Sequence, residues 1–146
     1  MGDLAAVLQK VETYLTDNFG DFVTEGEGTY SLRQGSAKVT IRAMQSDEDE
    51  PVYIRLRVPL LTHVPNEPEL HQYVAFHSDD YLFGHLSLRA GDDDGYVDVG
   101  FTYTLLGDDL DESELVTAVA SVAVSADSLD DLLQGTFGGN KFFEDA

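Results

Sequence analysis

Positively charged residues are few in this sequence, and their spacing gathers most of them on one predicted surface. Eight Lys and Arg residues stand against 28 Asp and Glu residues, and the formal net charge is -20. Six of the eight cations fall in segments where apolar and polar residues alternate, which is typical of strands with one buried face. The cations occupy the positions that the apolar residues leave free. The sequence therefore predicts a sheet with one basic face on an otherwise acidic protein.

Aromatic residues accompany the cations on this predicted face. Arg and Tyr are over-represented at binding hot spots, and an acidic, partly apolar peptide is the ligand that complements a basic, aromatic surface. A second copy of the acidic protein would suit the same surface. The predicted partner-binding residues are Arg33, Lys38, Arg42, Tyr53, Arg55, Arg57, Tyr81, Phe83 and Arg89.

The same pattern has other interpretations. The cations can pair across strands with Asp98 and with flanking acidic turns, each pair contributing about 0.2–1 kcal/mol, and the face is then an ordinary charged surface. Basic, aromatic sheets also bind single-stranded nucleic acid, but the acidic remainder of this protein repels phosphates and anionic membranes. A regulatory domain that senses a small acidic ligand on the basic face is the alternative to a protein partner.

Other residue types that could do chemistry lack the spacing that chemistry requires. The absence of Cys excludes disulfides, thiolate catalysis and Cys-ligated zinc. His71 and His77 are six residues apart on a predicted helix, which places them on different faces. Asp92-Asp93-Asp94 lacks the alternating ligand spacing of a calcium loop. We predict no catalytic residue, no metal and no cofactor.

Periodicity and capping signals predict the elements that position the basic face. Apolar residues recur at helical spacing after Asp3, after Pro68 and after Asp111, and Gly135 predicts the end of the third helix near Gln134. Alternation predicts strands at roughly 28–33, 36–45, 51–61, 81–90 and 95–105. The order is α-β-β-β-α-β-β-α. We predict a single α+β domain over residues 1–146, with a five-stranded, mainly antiparallel sheet and helices on one face.

The N-terminal stretch and the hydropathy of the chain give an expected location. Asp3 comes early, no basic segment precedes an apolar one, and no run approaches the roughly 18 apolar residues of a membrane span. We expect a cytoplasmic protein.

Several stretches, read together, resemble a known family. They are YSLRQGSAKV at 30–39, VPLLTHVP at 58–65 with the helix start at 68–70, TLLGDDL at 104–110 with Asp111, Glu114 and Leu115, and ADSLDDL at 126–132 with FGG at 137–139. In these the chain resembles the type III secretion chaperones and the YbjN family, in particular the YbjN-like peptide-binding chaperone domains of actinobacterial genomes. The resemblance implies the type III secretion chaperone fold and a non-enzymatic domain that binds extended segments of other proteins, often as a homodimer.

Two apolar groups outside the sheet have open roles. Leu70, Tyr73 and Val74 on the middle helix pack in the core or, as the resemblance implies, form a dimer contact. Aromatic residues near the end of the sequence either fold back on the sheet or present an exposed apolar segment; they are Phe137, Phe142 and Phe143.

Overall fold

Capping side chains begin the two long helices where the sequence predicts them. The Asp3 side chain accepts a hydrogen bond from the backbone N–H of Ala6, and Asp111 and Glu114 form a reciprocal capping box. The computed structural model describes residues 2–143. Its elements in chain order are α1 (Leu4–Asn18), β1 (Val23–Gly26), β2 (Thr29–Gln34), β3 (Ala37–Met44), β4 (Tyr53–Pro65), α2 (Pro68–His77), β5 (His85–Ala90), β6 (Tyr96–Leu106) and α3 (Glu112–Phe137).

The strands form one antiparallel sheet with the order β1-β2-β3-β4-β6-β5. The sheet has six strands, so the prediction of five was wrong. The strand that the sequence analysis missed is β1, in which all four residues are exposed and no apolar alternation marks a buried face. As an edge strand it pairs through its backbone with β2 alone.

One face of the sheet is buried by α1 and α3, while α2 lies against β5. The predicted helix-covered and helix-free faces are both present. The largest fully buried side chains come from the alternating strand positions and the helix stripes, among them Leu15, Ile41, Ile54, Leu56, Phe101, Leu115 and Leu133. No helix in residues 2–143 combines the length and the apolar character needed to cross a bilayer.

Helix α3 continues past Gly135 and ends at Phe137, so the predicted end near Gln134 was wrong. A helical Gly costs only about 0.5–1 kcal/mol relative to Ala. The additional turn places Phe137 against Tyr73, with the ring centroids 5.7 Å apart. The change of conformation comes at Gly138, whose φ is 83° and whose N–H donates to the Gln134 carbonyl.

The turn between β2 and β3 is fastened to α3 by Ser36. Its backbone N–H donates to Asp127 Oδ1 at 3.0 Å, and its buried hydroxyl lies 3.1 Å from Asp127 Oδ1 and 2.6 Å from Asp130 Oδ2. Asp130 is fully buried, and its Oδ1 has no hydrogen-bond partner in the described part of the chain. This turn therefore holds a fixed position at one end of the sheet.

Residues 138–143, the tail segment, cross that end of the sheet from the helix-covered face to the helix-free face. Asn140 and Thr62 exchange two backbone hydrogen bonds of 2.8 and 2.9 Å, and the Phe143 N–H donates to the Ser36 carbonyl at 3.2 Å. The rings of Phe142 and Phe143 thereby reach the face that the helices leave open.

Candidate functional site

The strand register brings three arginines together on the helix-free face. Arg42 on β3 lies directly opposite Arg55 on β4, and Arg57 follows two residues along the same strand, opposite Thr40. Side chains at directly opposite positions have Cβ atoms roughly 4.5–5.5 Å apart. Arg42 and Arg55 are exposed, and Arg57 is half-buried. We call these three residues the arginine cluster.

Within residues 2–143 the arginine cluster makes no ion pair and no side-chain hydrogen bond. Like charges directly opposite each other in a sheet are destabilising, so the direct interaction between Arg42 and Arg55 is unfavourable. None of the carboxylates of this acidic protein compensates them in the described part of the chain. The interpretation of the face as a set of cross-strand salt bridges does not hold at its centre.

Arg89 on β5 also lacks a cross-strand ion pair within residues 2–143. Asp98 on β6 is its direct cross-strand neighbour, but the two side chains form no ion pair in the described structure. Asp98 Oδ1 instead accepts the backbone N–H of His63 at 3.2 Å. His63 sits where the β4–β6 register shifts, has a φ of 56°, and stacks on the Tyr96 ring with 3.7 Å between centroids.

An apolar group flanks the arginine cluster at one end. Tyr53 pairs with Met44 on one side and with Leu106 on the other, so the three side chains share the helix-free face. Leu106 is 63% exposed. Sequence reasoning missed Met44 and Leu106, although the alternation through Thr102 and Thr104 points to Leu106 once β6 is extended by one residue.

The opposite end of the face carries the cross-strand pair Arg33 and Lys38. Lys38 Nζ forms an ion pair with Glu25 Oε1 at 2.9 Å, and the Ser31 hydroxyl donates to the same oxygen at 2.6 Å. The Ser31 hydrogen bond, followed by Lys38, lowers the pKa of Glu25 below its usual range. Glu25 belongs to β1, the strand without a sequence signal. Lys38 is thus partly neutralised, unlike the arginine cluster.

The tail segment covers this end of the face with two aromatic rings. The Arg33 guanidinium carbon lies 4.0 Å from the centroid of Phe143, and Lys38 Nζ lies 5.3 Å from that of Phe142. The two rings contact each other edge to face at 4.8 Å. Of the two alternatives for these phenylalanines, the structure has the one in which they fold back on the sheet. A shallow cavity of 300 Å³ remains beside them, lined by residues that include Asp21 and Glu25.

Two aromatic residues predicted for the helix-free face lie on the opposite side. Tyr81 packs against Phe101 with centroids 5.3 Å apart, and Phe83 against Tyr103 at 5.5 Å, all on the helix-covered face. The placement was wrong because β5 begins at His85, so alternation does not extend back to 81. Gly84, with a φ of 131°, breaks the strand pattern there. Of the predicted binding residues, Tyr53 and the six cations share the helix-free face.

The predicted dimer contact on α2 is divided between core and surface. Leu70 is fully buried, so its side chain belongs to the core. Tyr73 and Val74 are half-buried, and the Tyr73 ring packs between His77 and Phe137. Phe76, which the sequence analysis did not name, is 72% exposed on the same helix.

Metal chemistry finds no support in the side-chain arrangement. In residues 2–143, no group of three or more His, Cys, Asp or Glu side chains is placed to hold a metal ion. His71 and His77 each contact a neighbour on the loops beside α2, Asn66 at 2.5 Å and Asp80 at 2.7 Å respectively. The helix-free face is therefore marked by its cations and aromatic rings rather than by metal-ligating side chains within residues 2–143.

Comparisons with known proteins give the family of this chain. Residues 5–145 match the model of the family described as T3SS (YopN, CesT) and YbjN peptide-binding chaperone 1. The chain is similar in structure to a chain in the crystal structure of the ExsC–ExsE complex. The TM-score is 0.63, and the identity is 17% over 91% of this chain and 97% of that one. It is also similar to YbjN from E. coli, with a TM-score of 0.58 and 14% identity over 88% and 90% of the two chains.

At these identities the two solved structures support the fold alone, whereas the family match also supports membership of the family. No curated protein is similar enough in sequence to match. The family match covers nearly the whole chain, including every strand of the sheet. This protein therefore belongs to the T3SS and YbjN family of peptide-binding chaperones.

Proposed function

We propose that this protein is a non-enzymatic chaperone or adaptor that holds an extended acidic segment of a partner protein on its helix-free face. One observation carries the proposal. Arg42, Arg55 and Arg57 stand side by side without an ion pair in the described part of a protein whose net charge is -20. Carboxylates of a bound segment would relieve the repulsion between Arg42 and Arg55.

The charge of the whole protein restricts the partner further. A partner that is acidic throughout would be repelled by the remaining surface of this protein. A partner of low or positive net charge that carries a short acidic segment avoids this repulsion and still complements the arginine cluster. The apolar group at Met44, Tyr53 and Leu106 supports the expectation that apolar side chains accompany the carboxylates.

The alternative, a small acidic ligand, gains no support from the cavity at the Arg33 end. Carboxylates of Asp21 and Glu25 line this cavity together with the cations, and they oppose a bound anion. The arginine cluster itself lies on a broad sheet face rather than among the residues of that cavity. An extended segment matches such a face better than a compact ligand does.

Replacement of two arginines by glutamine tests the proposal. The probe is a fluorescein-labelled synthetic peptide of alternating Glu and Ser with one Tyr, followed by fluorescence anisotropy. We expect Arg55→Gln with Arg57→Gln to weaken binding about tenfold, because two exposed charge pairs contribute up to about 1 kcal/mol each. The melting temperature should not fall, since neither arginine has an ion pair to lose within residues 2–143 and Arg55→Gln removes the like charge opposite Arg42.

A control variant separates the local cluster from the net charge. Gln9→Glu with Gln72→Glu makes the same change in charge at exposed positions of α1 and α2. This variant should bind the peptide as the parent protein does. Equal weakening in the two double variants would contradict the proposal, because net charge and not the helix-free face would then govern binding.

A further inference from the structure

We infer that the tail segment is an intramolecular competitor for the helix-free face, and that the partner segment carries an aromatic pair beside its carboxylates. The inference rests on the proposed function, because it takes the same face as the binding site. The tail segment occupies one end of that face, and a partner that uses the whole face must displace its two aromatic rings.

Hydrogen bonds near Asn140 hold the tail segment in a position that places the rings of Phe142 and Phe143 on the helix-free face. Asn140 is paired with Thr62, and the Gly139 carbonyl accepts a hydrogen bond from Gln134 Nε2 at 3.1 Å. A Cβ at Gly139 would lie 2.6 Å from Val64 Cγ2 and 2.9 Å from the Thr62 carbonyl oxygen. The φ of 90° at this position also favours glycine. The crossing of the sheet end therefore depends on the sequence Gly138-Gly139.

The ring contacts, in contrast, are of a kind that a ligand can replace. Phe142 remains 46% exposed above Lys38, and cation–π contacts at exposed sites are weak. The firm attachment at Asn140 and the weaker contacts at Phe142 and Phe143 allow the rings to leave while the crossing stays in place. An attached competitor of this kind lowers the apparent affinity of any free ligand for the same surface.

The spacing of the cations gives the chemistry of the partner segment. On β3, Lys38 and Arg42 are four residues apart, which is about 13 Å at about 3.3 Å per residue. An extended peptide covers this distance in the same number of residues. A segment whose aromatic pair replaces Phe142 and Phe143 therefore brings carboxylates to the arginine cluster when they lie about two to four positions from that pair.

The sequence of the chain itself contains a closely spaced form of this combination, in which Asp145 lies two positions from the aromatic pair and Glu144 directly beside it. Phe142 and Phe143 are followed in the sequence by Glu144 and Asp145, which lie outside the residues that the structure describes. An aromatic pair beside two acidic residues is thus already encoded next to the docked rings. A synthetic peptide that copies residues 138–146 is the direct probe.

Binding of this labelled peptide in trans tests the competition. Phe142→Ala with Phe143→Ala removes the docked rings and keeps the Asn140 crossing. We expect this variant to bind the peptide about tenfold more tightly than the parent protein, as when an attached competitor holds the face about nine-tenths of the time. Phe76→Ala with Leu132→Ala, two exposed apolar residues elsewhere, should leave the affinity unchanged.

A tryptophan reporter follows the tail segment directly. The sequence has no Trp, so Phe143→Trp gives a single tryptophan at the position that contacts Arg33, and it can be excited selectively over the seven Tyr. Saturation with the peptide should shift its emission to longer wavelength as the ring leaves the face. Phe137→Trp, a control on the α2 side, should not shift. Unchanged emission from Phe143→Trp at saturation would overturn the inference.

The outcomes distinguish the two proposals. Equal affinity of the parent protein and the ring-free variant overturns competition, whereas the proposed function stands if Arg55→Gln with Arg57→Gln still weakens binding of the Glu-Ser peptide. Another outcome is that the tail peptide binds tightly to the variant Phe142→Ala with Phe143→Ala, with an affinity that Arg55→Gln and Arg57→Gln do not change. In that case the arginine cluster is not the binding site, and both proposals are overturned.

Discussion

At the scale of single residues, Asp130 is the clearest case of a group whose protonation is coupled to folding. Its burial raises the pKa of the carboxyl above its ordinary value, and the neighbouring Asp131 and Asp127 add to this effect, while Ser36 and Lys141 oppose it. The Ser36 hydroxyl has one proton and lies within hydrogen-bond distance of both Asp127 and Asp130. A proton on Asp130 lets its O–H donate to Ser36, which then donates to Asp127.

We expect Asp130→Asn to remove the free-energy cost of ionising this buried carboxyl in the folded protein. Because the folded pKa is raised, the stability that protonated Asp130 contributes is complete below about pH 4 and is lost as the pH rises through the folded pKa. The amide cannot ionise, so the stability advantage of the variant over the parent protein should grow as the pH rises from about 4 to 7. Urea unfolding across this range measures it, with Asp109→Asn at an exposed site as control. A difference that does not change with pH would contradict the assignment.

The pair Arg42 and Arg55 gives a second prediction at this scale. We expect Arg42→Thr and Arg55→Thr each to remove a local like-charge repulsion of about 0.2–1 kcal/mol between opposite strand positions. The double variant should gain less than the sum of the two, since the repulsion is removed only once. A double-mutant cycle by urea unfolding measures the coupling. Additive gains would mean that the two guanidinium groups do not interact.

At the scale of elements, Gly84 determines where β5 begins. A Cβ at this position would lie 2.4 Å from two ring atoms of Phe101, and the φ of 131° excludes most other residues. We expect Gly84→Ala to destabilise the protein by about 2–4 kcal/mol through strain and overpacking. Gly20→Ala, where no atom lies within 4 Å of the added Cβ, is the matched control in thermal unfolding. Similar stability of the two variants would contradict this account.

Alternation and capping predicted most of the elements, and the failures have local physical causes. The strands β2, β3, β4 and β6 alternate because one face of each is buried, and the capping box at Asp111 marks α3. Strand β1 carries no such signal, because an exposed edge strand needs only its backbone to pair. The start of β5 depends on the contact between Gly84 and Phe101, and the docking of Phe143 on Arg33 is a long-range contact that no local pattern encodes.

At the scale of the whole molecule, the protein combines a net charge of -20 with a local cluster of arginines that have no ion pair within residues 2–143. Repulsion among the carboxylates destabilises the compact state, and salt screens it over about 10 Å at 0.1 M. The attraction between the arginine cluster and a bound carboxylate is screened as well. Salt therefore acts in opposite directions on folding and on this local attraction.

We expect added NaCl to raise the melting temperature while it reduces the contribution of the arginine cluster to binding. The difference in binding free energy between the parent protein and Arg55→Gln with Arg57→Gln isolates that contribution from the general repulsion. This difference, measured by anisotropy, should shrink between about 0.05 and 0.5 M salt. A difference that stays constant would show that the two arginines act through apolar contacts of their side-chain stems.

Ser36 connects the two sides of the sheet through a single residue. Its carbonyl receives the N–H of Phe143 on one side, while its N–H and hydroxyl are held by Asp127 and Asp130 of α3 on the other. An event that detaches Phe143 changes the surroundings of a residue to which the longest helix is fastened. If the rings leave the helix-free face when a partner binds, as we infer, the hydrogen bond from Phe143 to Ser36 is lost, and the pKa of the neighbouring Asp130 reports that loss.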